Sequence, residues 1–68
     1  MRNLQRLLEK CGISPKVMII EKEQIKLSPE MIRFYSNTAV DRDVCALVSS
    51  RKIFMYIDEE GYACFHEL

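Results

Sequence analysis

At the start of the chain the apolar residues recur with a helical period. Leu4, Leu7, Leu8 and Cys11 fall at i, i+3, i+4 and i+7, which is one face of a helix. Gly12 can take the left-handed backbone that ends helices, and Lys10 places a cation near the negative end of the helix dipole. The pattern predicts a helix over residues 2–11, too short to persist unless its leucines dock on something. Beyond the break at Ile13-Ser14-Pro15, Val17 to Ile20 is continuously apolar, Glu21 to Gln24 is polar, and Ile25 and Leu27 are apolar again. Residues 16–27 therefore read as β structure, either one bulged strand or a hairpin. The absence of Gly, Asn and Pro from Glu21 to Gln24 counts against the hairpin. Ser28, Pro29 and Glu30 then supply an N-cap, a first-turn proline and a first-turn acid, predicting a short helix over 29–37 that Asn37 can end.

The C-terminal part reads as a three-stranded antiparallel meander over 43–49, 52–57 and 62–67. Its first turn is the serine-arginine stretch at Ser49 to Lys52, and its second is Asp58-Glu59-Glu60-Gly61, where Gly61 suits a left-handed loop position. Pairing Asp58 with Tyr62 sets Ile57 opposite Ala63, Tyr56 opposite Cys64, Met55 opposite Phe65 and Phe54 opposite His66. Pairing Ser49 with Lys52 sets Leu47 opposite Phe54 and Cys45 opposite Tyr56. The two turns give the same division of faces, because side chains alternate with a period of two. One face collects Val44, Ala46, Val48, Ile53, Met55, Ile57, Ala63 and Phe65. The other collects Cys45, Leu47, Phe54, Tyr56, Tyr62, Cys64 and His66. The expectation is a single α+β domain over 1–68 whose sheet has two apolar faces. Two short helices can lie one on each face, or both can serve the aliphatic face and leave the aromatic one open.

Composition narrows the chemistry. In 68 residues, ten Lys and Arg balance ten Asp and Glu, so long-range attraction to phosphate is weak. No apolar run approaches the roughly 20 residues of a membrane span, and no charged start followed by an apolar stretch marks a secretory signal. With an odd count of three cysteines and no C-x-x-C pair, the sequence points to free thiols in the cytoplasm. Phosphate-loop, dinucleotide-binding and zinc-protease motifs are absent. Cys64 and His66 share a strand face, but a thiolate-imidazole pair needs a third group to orient the ring and donors for an oxyanion, and the sequence offers neither. Cys45 and Cys64 would flank Tyr56 at roughly 9 to 10 Å, too far apart for one tetrahedral zinc. Asp41 and Asp43 read as a solvated entry turn and Asp58 to Glu60 as a solvated loop tip. No cofactor, metal or catalytic activity is expected.

What remains is the aromatic face. Tyr and Phe bury large areas at low rotamer cost, and a Tyr hydroxyl can still bond at a wet rim. The sequence therefore suggests a non-enzymatic module that binds another protein stoichiometrically as a regulator, inhibitor or adaptor, either alone or as a homodimer. Leu47, Phe54, Tyr56, Tyr62 and His66 are the contact residues expected. The alternative is a single-stranded nucleic-acid binder that stacks bases on the same rings.

Overall fold

A computed structural model describes residues 2–68. The chain runs α1 (Arg2–Lys10), a 3-10 turn (Pro15–Val17), β1 (Ile19–Glu21), β2 (Gln24–Leu27), α2 (Pro29–Tyr35), α3 (Ala39–Ser49), β3 (Ile53–Ile57) and β4 (Ala63–Glu67). The four strands form one antiparallel sheet in the order β1-β2-β4-β3. This is the mixed α+β class that the sequence indicates. None of the described helices is long and apolar enough to cross a membrane.

Local chemistry explains most boundaries. α1 ends in paired capping bonds, with Gly12 N–H donating to the Glu9 carbonyl and Ile13 N–H to the Leu8 carbonyl, and Gly12 at φ 104°. A Cβ on Gly12 would sit 3.0 Å from Val40 Cγ2, so close helix packing also demands glycine there. Ser28 caps α2 as expected, its hydroxyl accepting from Met31 N–H. Asn37, at φ 62°, follows the helix end. Between β1 and β2 the hairpin forms despite lacking turn-favouring residues. Glu21 pairs with Gln24 and a 2.7 Å side-chain bond joins them. Neither Lys22 nor Glu23 has positive φ. The turn is therefore not one of the mirror-image types whose twist matches a long hairpin, and β1 is correspondingly short.

The expected strand over 43–49 is instead the second half of α3. Uninterrupted apolar runs fit a strand and a buried helix equally by alternation alone. What decides is that Val40, Val44 and Leu47, at i, i+4 and i+7, turn together onto the core. The stretch read as the first meander turn is the cap of this helix. Arg51 N–H donates to Val48 carbonyl and Lys52 N–H to Leu47 carbonyl, with Arg51 at φ 60° in the place glycine usually takes. The meander is thus a two-stranded hairpin, and the other neighbour of its inner strand β4 is β2. The β3–β4 register is the expected one at every position, with Gly61 at φ 89° in the turn.

The strands supply Ile25, Leu27, Ile53, Ala63 and Phe65 to the core, all on one face by the registers. Leu4 and Leu8 of α1 and Val44 of α3 pack with them, and α2 adds the partly buried Met31, Ile32 and Tyr35. All three helices therefore serve the same face. Replacing Arg51 by glycine should remove the steric cost of a left-handed residue, raising the unfolding free energy by about 1 kcal/mol and the midpoint by roughly 5 °C. Thermal unfolding followed by circular dichroism measures this directly.

Candidate functional site

The face opposite the helices carries the even-numbered residues of β3 and β4. Phe54 pairs across with His66 and Tyr56 with Cys64, and Lys26 of β2 is the next neighbour of Cys64. The rings gather into one patch: Tyr56 and His66 stack at 5.8 Å between centroids, and Phe54 lies 5.8 Å from Tyr56 and 6.4 Å from His66. Phe54 is 50% exposed and Tyr56 40%, whereas Phe65 on the helix side is 2% exposed. Of the five residues the sequence singles out, Phe54, Tyr56, Tyr62 and His66 share this face. Leu47 does not. It sits on α3, partly buried against the core on the other side of the sheet, because the strand that would have placed it beside Phe54 is a helix. Cys45 moves with it to an exposed position on α3, apart from Cys64.

The sequence reading missed the polar half of the face. Lys26 Nζ lies 3.4 Å from Asp58 Oδ2 and 4.8 Å from the centre of the Tyr62 ring. The Tyr56 hydroxyl donates to Gln24 Oε1 at 3.4 Å. Gln24 and Lys26 alternate with the buried Ile25 and Leu27, a period-two signal that places them outward. That β2 would lie beside β4, though, depends on the crossing made by α2 and α3, which alternation does not encode.

Asp58 organises this end of the sheet. Its Oδ1 accepts from Tyr62 N–H at 3.0 Å and Glu60 N–H at 2.9 Å, and the Asp58 N–H donates to the Tyr62 carbonyl at 2.9 Å. The Tyr62 amide, followed by the Glu60 amide and the Lys26 ammonium, outweighs partial desolvation and holds the Asp58 carboxyl below its ordinary value. For Lys26, desolvation pushes downward, but the Asp58 hydrogen bond and the Glu21 and Asp58 charges together push its pKa above the usual lysine value. Beneath them Cys64 is 1% exposed, its Sγ 3.9 Å from Asp58 Oδ2 and from the Tyr62 carbonyl oxygen. It fills space under the rings as a small apolar residue does.

Among the described residues no group of three or more His, Cys, Asp or Glu side chains is placed to hold a metal. On the helix side, an apolar cleft bordered by Tyr35, Val40, Val44, Met55 and Ile57 has a volume of about 110 Å³. That is well under the roughly 300 Å³ at which small-molecule pockets begin, whereas a second pocket, bordered by Leu4, Glu23, His66 and Glu67, has a volume of about 330 Å³. Comparison with family models, curated proteins and solved structures finds no match to this chain.

The lowered Asp58 pKa has a definite consequence in acid. A carboxylate whose folded pKa lies below its unfolded value stabilises the fold above that unfolded value, 3.8, and loses the contribution as pH falls through the folded pKa. Urea unfolding should therefore show wild-type stability dropping below about pH 4. Asp58→Asn, which keeps the turn acceptor, should start less stable at neutral pH and lose less over the same range.

Proposed function

We propose that this chain is a non-enzymatic protein-binding module that acts stoichiometrically, as a regulator, inhibitor or adaptor, by seating its aromatic sheet face on a partner protein. The observation that carries the reading is the cluster of the exposed Phe54 and Tyr56 rings with the half-buried His66 on the face opposite all three helices. These rings pack on one another, which reduces the rotamer freedom lost on binding, and Tyr62, Lys26, Gln24 and Asp58 give the patch a polar border. An apolar centre with a polar rim is the usual anatomy of a protein interface. Three free thiols, one of them exposed at Cys45, suit a reducing compartment such as the cytoplasm.

Charge favours this reading over nucleic-acid stacking on the same rings. Within the strands Lys26 is the one Lys or Arg on this face, and it is already neutralised by Asp58. A sheet that stacks single-stranded bases normally tracks the phosphates with a positive groove.

Two comparisons test the proposal. Immobilised wild-type protein should retain a partner from its source lysate in stoichiometric amount, and Phe54→Ala/Tyr56→Ala should lose it while keeping the wild-type circular dichroism spectrum. Each truncation should cost the complex about 2 kcal/mol or more. Leu47→Ala should instead lower stability by about 1 to 2 kcal/mol and leave retention unchanged. Equal retention by wild type and the double variant would refute the proposal. So would tight capture of a labelled single-stranded oligonucleotide that weakens steeply as salt rises from about 50 mM.

A further inference from the structure

β3 lies at the sheet's edge, paired with β4 on one side only. In an antiparallel ladder, successive residues direct their backbone N–H and C=O groups alternately toward the neighbour and away from it. Asp58 N–H donates to the Tyr62 carbonyl, and the Lys52 carbonyl accepts from Leu68 N–H. Even-numbered positions thus bond inward, and Ile53, Met55 and Ile57 direct their peptide groups to the open edge. Natural proteins defend such edges with charge, proline, a bulge or a covering element. Ile-Phe-Met-Tyr-Ile contains neither charge nor proline, and it pairs with β4 without a bulge. Met55 and Ile57 remain 37% and 53% exposed even though they belong to the helix-covered face.

We propose that a second copy of this chain closes the edge, the two β3 strands running antiparallel about a two-fold axis through Met55. The sequence around β3 is self-complementary in that arrangement. Met55 faces the second copy's Met55, Ile53 faces its Ile57, and Phe54 faces its Tyr56. Lys52 then faces Asp58 at the two ends of the paired strands. Every outward N–H and C=O of Ile53, Met55 and Ile57 finds a counterpart, because the axis pairs odd positions with odd ones. A parallel, in-register pairing would set Lys52 against Lys52 and Asp58 against Asp58. A slip by one position would set outward-bonding residues against inward-bonding ones. Asp58 already meets Lys26 at 3.4 Å in its own chain, and the second copy's Lys52 adds a cation to the same carboxylate.

The edge is a different surface from the aromatic face, so the pairing stands whether or not that face takes a partner. Where both hold, Phe54 and Tyr56 of the two copies form one continuous aromatic strip across the joined sheet.

Sedimentation equilibrium over a wide concentration range at low salt tests the inference. Wild type should dimerise. Met55→Pro should stay monomeric at every concentration, since proline blocks the edge while removing an N–H that the single chain leaves unbonded. Lys52→Glu should weaken the dimer about tenfold or more by turning two attractive pairs repulsive. Adding Asp58→Asn to it should recover part of the loss. Tyr62→Ala, away from the edge, should dimerise as wild type does even where it loses a partner protein, which separates this inference from the proposed function. Backbone amide exchange on the wild type is independent of any variant's folding. Ile53, Met55 and Ile57 amides should be protected in concentrated samples and exchange freely on dilution, while those of Phe54 and Tyr56 stay protected in both. A wild type that is monomeric throughout, odd-numbered amides that exchange freely at high concentration, or a dimer that survives Met55→Pro would overturn the pairing.

Discussion

The fixed two-sidedness of β4 governs the rest of the molecule. Its side chains alternate, so once the Asp58–Tyr62 turn sets the register, Ala63 and Phe65 must go one way and Cys64 and His66 the other. A slip of one residue would drive a histidine into the core and lift Phe65 out of it. The turn is held by two backbone amides on one carboxylate, by a reciprocal main-chain bond, and by a left-handed glycine whose Cβ would come within 3.2 Å of Pro29. With the register fixed, α1, α2 and α3 all find their apolar counterparts on the same side.

The uncovered side is built, not residual. Cys64 is sealed beneath Tyr62 and Asp58, and the Lys26 ammonium bridges the Asp58 carboxylate and the Tyr62 ring. Tyr56 and His66 stack with their ring centroids 5.8 Å apart and their planes 15° from parallel. These contacts hold the rings against one another in the lone chain, which would lower the conformational cost of the docking proposed for them.

Much of this was legible from residue spacing. The leucines of α1, the Ser28-Pro29-Glu30 start of α2 and the β3–β4 register each rest on a local signal strong enough to survive folding. Residues 43–49 were not legible in the same way. Val44, Ala46 and Val48 alternate with Cys45 and Leu47, yet both sets are apolar, so alternation carries no information about faces. The helical signal lay earlier, at Val40, Val44 and Leu47, with Asp41 in the first turn. Misplacing Leu47 on the aromatic face follows from that one ambiguity. Lys26 and Gln24 escaped notice for a different reason: their strand reaches β4 only through a crossover of two helices, a long-range pairing that local pattern does not specify.

The claim at the centre of this account is that the helices roof one side of the sheet and leave the rings of the other in water. Solvent paramagnetic relaxation, measured by NMR with a soluble gadolinium chelate, reads this ring by ring in the intact chain. The account predicts strong broadening of the Phe54, Tyr56 and His66 ring protons and little effect on Phe65. Rings of Phe54 and Tyr56 as shielded as that of Phe65 in the dilute protein would contradict it.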